Sequence, residues 1–192
     1  MTDEKLIEGR NLIDHGDFTS GWKATWTVTG THGIYQDADT GKDYLRLMDG
    51  ATATCHVDLP VRPDSDARYL FSFSYEGLGS KPSTVTIQKQ GGRVIFDESF
   101  LSRKPQENAG TADPAPLVEL RPYEPVELGP LVRDDVNTKL TLLVTAAPGG
   151  SREGINITDV KFDLQLYPLA LSELSLDCRP IPLPVPSAQA VS

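Results

Sequence analysis

The chain has 192 residues, 39% of them hydrophobic and 23% charged, with 18 Lys and Arg against 27 Asp and Glu and a formal net charge of −9. That length forms one domain, or one domain with a tail, and the apolar content supports a core, which excludes disorder over the whole chain. The acidic balance argues against nucleic acid as a partner, because that affinity comes mostly from Lys and Arg neutralising phosphates, and no apolar run approaches the ~20 residues that span a bilayer.

Residues 1–10 form a lead-in without an apolar h-region. No signal peptide is expected, which points to a cytoplasmic protein or one exported without a leader. From there on the periodicity is that of strands. Strand-like runs cover residues 24–29, 33–36, 44–48, 52–59, 67–75, 83–90, 93–98 and 138–146. The clearest holds Tyr69, Phe71, Phe73 and Tyr75 at alternate positions; a helix would scatter these rings, whereas a strand puts all of them on one side. Turn signals stand between the runs: Asp39-Thr40-Gly41-Lys42, Met48-Asp49-Gly50, Gly77-Leu78-Gly79, Gln90-Gly91-Gly92 and Pro148-Gly149-Gly150. Many short strands with almost no helical period predict an all-β, two-sheet antiparallel sandwich or barrel.

Three segments depart from this texture. Residues 103–125 hold Pro105, Pro114, Pro116, Pro122 and Pro125, and proline removes ladder donors, so a long loop or a broken edge strand is expected there. In residues 154–166, Ile155 and Ile157 are apolar at odd positions, but Val160, Phe162, Leu164 and Leu166 at even ones. One face of a strand keeps one parity, so a β-bulge is predicted around Thr158-Asp159. The last segment, 169–192, alternates proline with apolar residues and reads as an extended tail or linker after a domain of residues 11–168.

Cysteine and histidine are scarce. Cys55 and Cys178 lie far apart, with no Cys-x-x-Cys pattern, and Cys55 shares the parity of Ala53, Val57 and Leu59; it is either a buried free thiol or the partner of Cys178 in a disulfide. His15, His32 and His56 lack zinc-ligand spacing.

The opening Asn11-Leu12-Ile13-Asp14-His15-Gly16-Asp17-Phe18-Thr19-Ser20-Gly21-Trp22 resembles the start of carbohydrate-binding modules of families 4 and 9. Tyr44-Leu45-Arg46-Leu47, the 68–73 strand and Ile155-Asn156-Ile157-Thr158-Asp159-Val160 fall in the matching order, so the resemblance extends over residues 11–166. It implies a galactose-binding-like jelly roll with one concave sheet and no catalytic residues of its own. It also implies a structural calcium near the junction of the N-terminal loop and the last strand, with Asp17, Thr19 and Asp159 as its ligands. Calcium takes several oxygens from irregular backbone and carboxylates. His15 stands where the family has Asn, Thr19 where it has Glu, and Thr158 where it has the first of two Asp residues, so calcium should bind more weakly here. The competing role for Asp159 is to cap the bulge through backbone amides.

Sugar recognition needs flat apolar faces for the C–H side of a pyranose and planar polar groups for its hydroxyls. The candidates are Trp26, Tyr35, Gln88 and Tyr123. Trp22 is expected in the core. Trp26 shares its parity with Ala24 and Val28, so it packs inside or offers a stacking face. Tyr35 precedes a turn, Gln88 lies with Thr84 and Thr86 on the outward face of its strand, and Tyr123 belongs to the proline-rich loop as one wall of a groove. The favoured function is a non-catalytic carbohydrate-binding module with a glycan partner. The alternative is a protein-interaction or structural module in a larger assembly, supported by the proline-rich segments and the modest stock of aromatics. An enzyme is disfavoured: there is no Gly-x-Ser-x-Gly elbow, and adjacent carboxylates such as Asp97-Glu98 point to opposite faces of a strand.

Overall fold

The computed structural model describes residues 11–59, 68–102, 118–129, 131 and 139–165. The lead-in, the segment 103–117, Cys178 and the tail 169–192 lie outside the described residues. Nine strands form: β1 (Trp26–Gln36), β2 (Asp43–Asp58), β3 (Arg68–Leu78), β4 (Ser83–Lys89), β5 (Val94–Phe100), β6 (Arg121–Pro122), β7 (Val126–Leu128), β8 (Lys139–Thr145) and β9 (Gly154–Gln165). Every pairing between them is antiparallel.

The runs at 24–29 and 33–36 join into β1, and those at 44–48 and 52–59 into β2. Met48-Asp49-Gly50 is therefore a kink inside a strand, which corrects the expected turn. Asp49 (φ 51°), Gly50 (φ 73°) and, opposite them, Gly30 (φ 81°) hold the left-handed backbone that bends both strands together. The ladder between β1 and β2 shifts register between Thr29 and Thr31. Beyond the kink, residues 52–58 pair with β8, which continues to β4 and β5. Before it, residues 45–48 pair with β9, which continues to β3, itself flanked by β6 and β7. β1 and β2 thus run through both layers of one curled sheet, closing a two-sheet antiparallel jelly-roll sandwich.

The core lies between the layers. Leu45, Leu47, Ala53, Cys55, Phe71, Val85, Leu140, Val144, Ile155 and Ile157 are fully buried, and each large apolar side chain so placed contributes about 1.5–3 kcal/mol relative to exposure. The predicted bulge is present. Ser72 faces Lys161 and Ser74 faces Thr158, so β9 carries one extra residue, and Asp159 sits there at φ 52°. Ile155 and Ile157 before the bulge, and Val160, Phe162 and Leu164 after it, all point inward. Of the proline-rich stretch, the described part contributes only β6, a short edge strand on β3.

Candidate functional site

The outer face of the layer built from β1, β2, β9 and β3 carries a row of paired positions. Gly33 faces Arg46, Arg46 faces Asn156, and Asn156 faces Glu76. The side chains link as the backbones do. Arg46 Nε donates to Asn156 Oδ1 at 2.9 Å, and Asn156 Nδ2 donates to Glu76 Oε2 at 2.8 Å. Asn156 is 0% exposed, and an unpaired amide at such a depth costs about 1–3 kcal/mol. These two bonds therefore fix both neighbours as well as the amide itself.

Tyr35 stands in the adjacent row, opposite Tyr44. Its ring reclines along the strand over Gly33, where an added Cβ would come within 2.8 Å of ring carbon Cε2. Glycine weakens a strand interior, and in this position it opens the space the ring occupies. The Arg46 guanidinium lies 4.7 Å from the centroid of the Tyr35 ring, and Arg46 Nη2 donates to the Tyr44 hydroxyl at 3.3 Å. Tyr44 is buried, which holds its phenol above the ordinary value of 10. Tyr35 keeps 48% exposure and is the single exposed Phe, Tyr or Trp ring among the described residues. The arrangement is a flat apolar face framed by a guanidinium, an amide and a carboxylate.

The remaining sequence candidates do not join it. Trp26 is a core residue, 2% exposed, with its ring 5.1 Å from that of Phe18; its parity with Val28 turns it inward, so it has no face for a sugar. Tyr123 is not a groove wall. It stacks on Phe73 at 4.8 Å and meets Phe96 and Phe100 edge-on, closing the core between β3 and β5, and burial, reinforced by Glu98, raises its phenol pKa. Gln88 lies on the opposite side of the sandwich from Tyr35, facing Thr141, whose hydroxyl lies 3.2 Å from His56 Nδ1. That second face is hydroxyl-rich: Thr29, Thr52, Thr145, Thr84 and Ser99 fall in one row across five strands. It has no exposed Phe, Tyr or Trp ring among the described residues.

The three calcium candidates do converge. Asp17, Thr19 and Asp159 line one cleft of about 450 Å³, together with Gln36, Lys42, Asp43 and Thr158. One carboxylate oxygen of each of the two aspartates accepts from the protein's own donors. Asp159 Oδ2 accepts from Lys42 Nζ at 2.7 Å, Asp17 Oδ1 accepts from the Thr19 amide and hydroxyl, and the Asp43 carbonyl accepts from Thr158 Oγ1 at 2.6 Å. No three His, Cys, Asp or Glu among the described residues are grouped to hold a metal ion. Calcium needs six to eight oxygens, and this donor set, with the Lys42 ammonium already on Asp159, does not fit it.

Sequence reasoning singled out Tyr35 but missed Gly33, Arg46, Asn156 and Glu76. The signal was the alternation itself: Ile155 and Ile157 inside place Asn156 on the other face, and Leu45 and Leu47 do the same for Arg46.

No protein-family model matches the chain. No curated protein matches it either. Among solved structures it is similar to an arabinose-bound α-L-arabinofuranosidase, at 16% identity and TM-score 0.50, over 85% of this chain and 27% of that one. It is also similar to a CBM4 module (14% identity, TM-score 0.49, 80% of this chain and 99% of that one). A third is the xylan-binding domain from Paenibacillus barcinonensis Xyn10C (14% identity, TM-score 0.48, 81% of this chain and 95% of that one). The chain spans about a quarter of the arabinofuranosidase it matches. That likeness concerns the fold alone. Among the described residues no helix is long and apolar enough to cross a membrane.

Proposed function

We propose that this domain is a non-catalytic carbohydrate-binding module that holds a saccharide on the Tyr35 face. The observation that carries the reading is the Tyr35 ring, exposed and laid flat over Gly33 beside the ordered Arg46–Asn156–Glu76 row. A pyranose would place its C–H side on the ring and its hydroxyls toward Arg46 and Glu76, both planar groups able to pair with vicinal hydroxyls. The sequence resemblance to families 4 and 9 supports the same reading.

The test is a glycan array followed by calorimetry on the best ligand, with Tyr35→Ala, Gly33→Val and Gln88→Ala. Affinity between millimolar and micromolar is expected. Tyr35→Ala should weaken it at least about tenfold, a change of 1.4 kcal/mol, and Gly33→Val should do likewise by lifting the ring. Gln88→Ala should leave affinity unchanged. Loss of binding in Gln88→Ala alone would move the site to the threonine-rich face, and absence of any glycan ligand would favour an interaction module.

A further inference from the structure

We propose that the Lys42 ammonium takes the place of a structural metal ion where the N-terminal loop, the β1–β2 turn and the β9 bulge meet. Three backbone segments converge here, each held by bonds within the protein. The loop docks through Val160 N–H to Gly16 C=O at 2.9 Å, Leu12 N–H to Phe162 C=O at 2.9 Å and Phe162 N–H to Asn11 Oδ1 at 2.9 Å. The turn is closed by Asp37, whose carboxylate accepts from the Asp39 amide and the Thr40 hydroxyl, while its backbone amide bonds Lys42 C=O. That geometry delivers Lys42 to the cleft. Its Nζ then bridges to Asp159 Oδ2 across 117 residues of sequence.

Charge explains why a cation belongs there. Asp17, Asp43 and Asp159 all line the cleft, and Lys42 is the one basic residue among the described residues lining it. An ammonium offers up to three donors to such oxygens without the six to eight ligands that calcium requires. Asp159 is moreover held in left-handed backbone at the bulge, so its carboxylate is directed by the strand's irregularity rather than by free rotation. The wild-type fold should therefore be indifferent to calcium, and removing the ammonium should leave the carboxylates open to an added divalent ion.

Thermal melts of the whole chain decide this, run in EDTA and in millimolar calcium chloride for wild type, Lys42→Met, Lys42→Gln and the double variant Lys42→Met/Asp159→Asn. The Lys42 side chain is 56% exposed, so its replacement leaves the core intact. The expected result is an unchanged wild-type melting temperature in both conditions. Calcium should raise both single variants by a few degrees, as a ligand present well above its Kd does, and leave the double variant unmoved. A wild-type melting temperature that rises with calcium or falls with EDTA overturns the proposal. So does a pair of single variants that calcium leaves unchanged.

Discussion

Trp26 offers the sharpest test of the core, because its ring and its N–H make opposite contributions. The side chain is 2% exposed against Phe18, and its Nε1–H has no hydrogen-bond partner among the described residues. Truncation to alanine removes the whole ring and should cost about 3–5 kcal/mol, the range for a buried large aromatic. Replacement by phenylalanine keeps most of the packing. The volume lost is on the order of 40 Å³, which at roughly 24 cal/mol per Å³ costs about 1 kcal/mol. The same change removes a buried donor whose lack of a partner costs about 1–3 kcal/mol. The two effects oppose each other, so Trp26→Phe should be no less stable than wild type and up to about 2 kcal/mol more so. Urea unfolding followed by far-ultraviolet circular dichroism measures both. At a slope of about 2 kcal/mol per M, Trp26→Ala should lower the midpoint by about 2 M, whereas Trp26→Phe should leave it unchanged or raise it by up to about 1 M. Equal losses in the two variants would refute the unpartnered N–H. An unchanged midpoint in Trp26→Ala would refute the core placement itself.

Two further outcomes follow from the titrating groups. Burial, with a smaller push from Asp14, raises the Cys55 thiol to about 12, so only a trace of thiolate exists near neutrality; peptide mapping after iodoacetamide treatment should find Cys55 unmodified until the domain is unfolded in urea, and prompt native labelling would contradict its burial. Glu153 accepts from the Lys81 amide and from the Ser80 amide and hydroxyl, and these bonds, led by that of Lys81, hold its pKa below the ordinary 4.5. A folded-state pKa lowered in this way stabilises the fold above pH 4.5 and loses that contribution as pH falls through the folded value. Glu153→Gln should therefore melt lower than wild type near pH 6 and approach it as the pH falls below 4.5, and parallel curves would exclude the role.

The strand periodicity made most of the architecture legible before any coordinates. Aromatic alternation at Tyr69, Phe71 and Phe73 and the parity break at Thr158-Asp159 both translate directly into the observed β3 and the bulge in β9. Alternation reports which side of a strand a residue takes, however, and not which layer the strand joins. For that reason the sequence candidates Tyr35 and Gln88 lie on opposite sides of the sandwich. The Asp49-Gly50 pair misled for a related cause: left-handed backbone serves a tight turn and a bend within a strand equally well. Arg46 and Asn156 were passed over because each looks like an ordinary polar residue between apolar ones, and only the cross-strand register brings them together. Lys42 was invisible as a partner of Asp159, since nothing local links residues 117 positions apart.

The position of β9 has a consequence for how the chain comes off the ribosome. It lies between β2 and β3 and bonds both of them, yet it is the last of the described strands to be synthesised. Until residues 154–165 emerge, β2 and β3 have no partner along these edges, and the layer bearing Tyr35 cannot close. Pairings this distant in sequence make folding slow relative to hairpin formation, and unpaired strand edges invite association with other chains in the meantime. Nascent chains truncated before Gly154 should therefore be the species that chaperones hold and proteases clear, whereas release of the complete β9 commits the molecule to its native pairing in a single late step.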